Sequence, residues 1–240
     1  MVRARRRSAG VTVIGGDRTR GSGPRYPAHI VDAPTATFGA IALADAIRRR
    51  GRIEGTLVKV DDFLNHQVDP DLLEVIGADI AERWRDRAVD LVITAEASGI
   101  PPALIAARHL GVPMIYAKKF PRSTAERPAF VREVASPTKG TEYRVEIARR
   151  LLDRGRRVLI VDDFLSGGRT AEALGDIVEE AGATVVGFAF VIEKSFVEGR
   201  SRLAERGWPV DSLVMVSSMT GGLEIAATAA ERRSHVDAAE

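Results

Sequence analysis

No cysteine occurs among the 240 residues, so the chain can form no disulfide and no thiolate metal site. Long apolar runs are missing as well. The longest, such as Val185 to Ile192, fall far short of the roughly 20 residues a helix needs to span a bilayer. No apolar signal core follows the early arginines, so a place in the cytoplasm, off the membrane, is the expectation. Two common phosphate signatures are absent too: there is no GxxxxGK[ST] loop, and no strand is followed by a spaced-glycine dinucleotide fingerprint.

What is present is enough apolar material, 45% of the residues, for one substantial core. The net charge of +2 conceals an asymmetry, because residues 1–30 hold seven arginines against one aspartate, a net of +6, which leaves the remainder at −4. That basic stretch is rich in Gly, Ser and Pro and has no amphipathic period, so residues 1–35 read as a disordered, solvated leader. It is too short and irregular for a DNA-binding domain, and nucleic acid is not an expected partner. Residues 36–217 read as one α/β domain and 218–240 as a polar, frayed tail.

The chain is organised around Val158 to Thr170, VLIVDDFLSGGRT. Four branched apolar residues run into Asp162 and Asp163, then a small-residue turn, then Ala171, Leu174, Ile177 and Val178 at helical spacing. A strand buried on both faces reads as a continuous apolar run, and ligands of open α/β sheets sit where such strands end. The loop offers Ser166, Gly167, Gly168, Arg169 and Thr170, small enough for backbone amides to close round an anion at a helix start. Carboxylates accept hydrogen bonds from hydroxyls and repel phosphate. Two acids beside a phosphate cradle therefore suit a sugar diol carrying a phosphate.

Other strand ends repeat the theme. Asp90 to Ala95 runs into Glu96, Ala97, Ser98 and Gly99 before a helix that stops at Gly111, a second anion cradle. Val112 to Ala117 ends at Lys118 and Lys119, either solvated or placed to neutralise a leaving anion. Phe130 to Ala135 and Tyr143 to Ala148 alternate as half-exposed strands. The pair Asp69–Pro70 marks a helix start, N-cap and first-turn proline, and the loop before it, Asn65 to Gln67, is either self-satisfied or able to read a flat heterocycle. Thr184 to Ile192 is a further strand ending at Lys194 and Phe196. A donor and a ring there would suit a purine, or Lys194 would reach solvent and Phe196 the core. Val210 to Val216 is the last strand.

At the acidic strand and its loop the chain resembles the type I phosphoribosyltransferases. Leu57 to Pro70 (LVKVDDFLNHQVDP), Glu96 to Ala103, Val158 to Phe164 and Val191 to Phe196 (VIEKSF) narrow the resemblance to the xanthine phosphoribosyltransferases. It covers about Ala42 to Val216. It implies a mostly parallel central sheet flanked by helices, with a small hood and a flexible lid loop between Lys118 and Lys139. It also implies a homodimer that converts xanthine and 5-phosphoribosyl-1-pyrophosphate (PRPP) to xanthosine 5′-monophosphate (XMP) and pyrophosphate with Mg²⁺.

By the same resemblance Val58, Asn65 and Lys194 contact the base, with Phe196 beside it, and Ser166 to Thr170 bind the 5-phosphate. Asp162 and Asp163 serve the ribose hydroxyls, directly or through Mg²⁺, while Glu96 to Gly99 and Lys118 hold pyrophosphate. Gly167 and Val58 differ from the Thr and Leu common at those places, and related hypoxanthine and guanine enzymes carry an Asp where Ser166 stands. Two other readings stay open at this point: a purine regulator that senses PRPP on the same fold, and a guanine or hypoxanthine phosphoribosyltransferase.

Overall fold

The computed structural model describes residues 36–121, 128–135 and 142–229. The expected leader, parts of the expected lid (122–127 and 136–141) and the end of the expected tail (230–240) lie outside the described residues.

In chain order the elements are α1 (Phe38–Arg50), a hairpin of β1 (Arg52–Glu54) and β2 (Leu57–Lys59), α2 (Pro70–Trp84), β3 (Leu91–Ala95), α3 (Ile100–Leu110), β4 (Met114–Pro121), β5 (Ala129–Ala135) and β6 (Glu142–Ala148). They continue with β7 (Arg157–Leu165), α4 (Arg169–Glu180), β8 (Thr184–Lys194), α5 (Gly199–Glu205), β9 (Val210–Ser218) and β10 (Glu224–Ala227). Eight strands form one sheet in the order β10-β9-β8-β7-β3-β4-β6-β5. Its middle, from β9 to β4, is parallel, and the pairs at either end are antiparallel.

The acidic strand β7 lies between β3 and β8, which explains its unbroken apolar run. Alternate residues point to opposite faces. Leu159 and Val161 pack with Leu43, Ile47, Leu72 and Ile76 of α1 and α2. Val158 and Ile160 pack with Leu174, Ile177 and Val178 of α4. Helix α2 begins where the sequence indicates: the Asp69 carboxylate accepts from the Leu72 amide at 3.3 Å, and Pro70 occupies the first turn.

Two expectations give way. Ser218 does not begin a tail, since Glu224–Ala227 pair antiparallel with β9 and Ala36 bridges Ala229. The strand is only four residues long, with Ile225 and Ala227 as its apolar positions packed on the core, so the alternation was too brief to register. Nor is all of Lys118 to Lys139 loop. Lys118–Pro121 and Ala129–Ala135 are strand, held by backbone pairing to β6 on its two sides.

Candidate active site

The carboxyl ends of β7 and β3 meet beside the start of α4. A cleft of about 220 Å³ opens there, lined by Asp162, Ser166, Gly167, Gly168, Arg169 and Thr170, with Val134 and Tyr143 across from them. The loop that the sequence marks as an anion cradle thus surrounds a cavity. Gly168 caps α4 with φ +73°, a left-handed conformation that glycine adopts without a Cβ penalty. The Thr170 hydroxyl lies 2.7 Å from the Tyr143 hydroxyl, so β6 orients the loop's last side chain across 27 residues of sequence. Nothing local could have signalled that partner.

The two acids take different partners. Asp163 is 8% exposed and its carboxylate accepts from the Asn65 amide at 3.1 Å. Asn65, expected at the base, is therefore brought to the acidic pair and joins the turn before α2 to β7. Asp162 lines the cleft and accepts from the Asp163 amide at 3.0 Å. Surrounding protein, and then repulsion from Asp163, hold its carboxyl well above the usual range. The Asp163 amide and the Lys119 charge act in the opposite direction.

The second expected cradle, Glu96 to Gly99, abuts Asp162. The Glu96–Ala97 peptide is cis, and the Glu96 carboxylate accepts from the Lys119 amide. A Cβ built on Gly99 would stand 2.1 Å from the Thr94 hydroxyl and 2.2 Å from an Asp162 carboxylate oxygen. Gly99→Ala is thus expected to push Asp162 out of place and lower turnover about a hundredfold, the scale on which small displacements act. A steady-state assay checks this, and an alanine variant with unchanged kcat would remove the close packing from the account.

Lys118 and Lys119 sort differently from the expectation. Lys118 lines a separate cleft of about 340 Å³ with Tyr116, Phe120 and Leu151. The Lys119 ammonium stands 5.5 Å from the centre of the Tyr143 ring and acts on Asp162. The alternation of a strand that continues past Ala117 makes the difference, and two adjacent lysines cannot reveal their phase without that register.

Among the residues expected at the base, the Lys194 ammonium donates to the Thr56 carbonyl at 2.8 Å, and burial lowers its pKa. Val58 is 7% exposed and packs into the core, so little of its side chain is left for a ligand. Phe196, by contrast, is 53% exposed in the turn after β8.

A parallel sheet whose central strand delivers two acids to an anion loop, with a second loop against it, defines a transferase that handles a phosphorylated sugar. The chain belongs to the phosphoribosyltransferase family: a model described as the phosphoribosyl transferase domain matches residues 55–216. A xanthine phosphoribosyltransferase of Chloroflexus aurantiacus is 46% identical over 75% of this chain and 85% of its own. One from Pseudomonas aeruginosa PAO1 is 43% identical over 75% and 95%. A solved adenine phosphoribosyltransferase from Rhodothermus marinus aligns with a TM-score of 0.58 at 27% identity, covering 72% of this chain and 97% of that one. No helix among the described residues is long and apolar enough to cross a membrane.

Proposed function

We propose that this protein transfers the 5-phosphoribosyl group of PRPP to xanthine, forming XMP and releasing pyrophosphate. The observation that carries the reading is the shared cleft of Asp162 and the Ser166–Thr170 loop at the end of β7, in a chain 43% and 46% identical to xanthine phosphoribosyltransferases. At the ribose C1 the bond to the pyrophosphate oxygen breaks as the bond to a purine nitrogen forms. Positive charge grows on the sugar and negative charge on the leaving group. Catalysis then consists of holding the partners in line and meeting that charge.

The loop amides, with the α4 N-terminus, bind the 5-phosphate. Asp162 and Asp163 take the ribose hydroxyls, and Glu96 to Gly99 face the pyrophosphate. Lys119 stands nearer than Lys118 to that negative charge. Mg²⁺ fits this donor set, because carboxylate oxygens suit a hard cation and Asp162 is an acid whose ionisation burial and Asp163 oppose. When bound, the ion would neutralise charge on pyrophosphate. Ser166 offers no carboxylate at the place where related enzymes carry an Asp, and xanthine's own acidity lightens the demand for a base.

Lys194 selects the base. An ammonium has three donors, so the bond to Thr56 aims it and leaves others for a purine oxygen. Adenine's amino group would leave such a donor unpaired. Lys194→Ala is expected to raise the KM for xanthine by roughly tenfold to a hundredfold, with PRPP affinity unchanged. Equal losses for both substrates would assign the lysine to structure.

The decisive experiment supplies the protein with PRPP, Mg²⁺ and xanthine, guanine or hypoxanthine in turn and measures pyrophosphate. Xanthine should be preferred. Preference for another oxopurine would reassign the substrate, and binding of PRPP without release would favour a regulator. A homodimer, which the resemblance implies, and a place in the cytoplasm belong to the same proposal.

A further inference from the structure

The short helix α5, which follows the turn after β8, is also the wall behind the phosphate loop. The Arg202 Nε–H donates to the Gly167 carbonyl at 2.9 Å, and its Nη1 donates to the Glu172 carboxylate at 3.1 Å. Gly167 precedes the start of α4 and Glu172 lies in its first turn. One guanidinium therefore grips the loop from both sides, as its planar fork allows. The backbones touch as well: a Cβ on Gly168 would stand 3.1 Å from Gly199 Cα, and one on Gly199 would stand 2.0 Å from the Ser166 carbonyl oxygen.

The direction of the bond matters more than its strength. The cis bond between Glu96 and Ala97 is the one found among the described residues, so the Gly167–Gly168 peptide is trans. In a trans peptide the carbonyl and the following N–H point opposite ways. With the Gly167 carbonyl turned to Arg202, the Gly168 N–H points away from that side chain, and both glycines line the cleft. We propose that Arg202 is a positioning residue for the 5-phosphate, fixing the Gly167–Gly168 peptide so that its N–H faces the anion. The inference rests on reading Ser166–Thr170 as the 5-phosphate loop. It also ties that loop to the turn carrying Lys194 and Phe196, since Glu193 is held at the head of the same segment by Arg200, at 2.8 and 2.6 Å.

Ribose 5-phosphate and inorganic pyrophosphate, titrated separately by calorimetry, probe the two anion subsites. In Arg202→Ala the affinity for ribose 5-phosphate should fall about tenfold, the scale of one charge-assisted hydrogen bond. Pyrophosphate affinity should be unchanged. Arg202→Lys keeps the stem and a charge but lacks the fork, and should fall between; it also decides the matter if the alanine variant does not fold. Equal weakening of both ligands, or no loss of ribose 5-phosphate in either variant, overturns the role given to Arg202. Wild-type protein that binds pyrophosphate but no ribose 5-phosphate overturns the loop assignment itself, and the inference with it.

Discussion

Replacing Asp162 and Asp163 together by Asn is expected to lower XMP formation by about a thousandfold or more, the loss typical of removing preorganised polar groups at a reacting centre. The empty protein should meanwhile become more stable at neutral pH. Both outcomes have one origin. Burial and the neighbouring Asp163 raise the Asp162 pKa, so ionising it in the folded chain is unfavourable. Below the ordinary value of 3.8 the side chain is protonated folded or unfolded, and contributes nothing to the balance. As pH rises above that, the unfolded chain releases the proton while the folded chain retains it, and stability falls until the folded group titrates too. Asn at position 162 has no such loss and still accepts from the amide of residue 163. Asn at 163 still offers a carbonyl to Asn65.

Thermal melts across pH would show the variant above wild type at pH 7, with the gap closing as pH falls toward the unfolded value. A variant less stable than wild type at pH 7 would mean that the acids hold the fold together. Retained turnover would remove them from the ribose. The combination of lost activity and gained stability is what a strained functional site produces.

How much could be read beforehand depended on how far each signal extended along the chain. Strand β7 and helix α4 were legible because a doubly buried strand needs an unbroken apolar run and its helix shows a regular period. The start of α2 was legible because Asp69 and Pro70 are local chemistry. Helix α5 was not: of its seven residues Gly199 and Leu203 are buried, too few to display a face. Neither was the pairing of Thr170 with Tyr143 or of Gly167 with Arg202, contacts fixed by which elements the sheet order places together. The identity of the lysine acting on Asp162 needed the β4–β6 register. The acidic strand end and the small-residue loop after it were thus legible in sequence, and the groups packed against them came from the order of the sheet.

Arg83 carries the largest expected effect on folding. Its side chain is 2% exposed. The guanidinium donates to the Asp79 carboxylate at 2.9 Å and to Asp211 of β9 at 3.0 and 3.2 Å. It also donates to the Thr228 carbonyl at 2.9 Å, the Thr228 hydroxyl at 3.0 Å and the Thr37 hydroxyl at 2.6 Å. Asp79 in turn accepts from the Ala40 amide at 2.9 Å. One cation therefore fastens the first turn of α1, the body of α2, the start of β9 and the residue after β10.

Arg83→Met keeps much of the volume and removes the cation that Asp79 and Asp211 share. Breaking a buried pair by removing one partner costs about 3–5 kcal/mol, which in a domain of this size lowers the melting temperature by about 10 °C. The second arm of the test removes the acids as well: Arg83→Met with Asp79→Asn and Asp211→Asn should recover part of the loss, because the penalty lies in burying carboxylate charge without that cation more than in the missing bonds. A single variant that melts with wild type would show that the network contributes no net stability. A triple variant weaker than the single one would place the contribution in the hydrogen bonds. Because Arg83 stands apart from the cleft, the fraction that remains folded should keep the wild-type KM for both substrates.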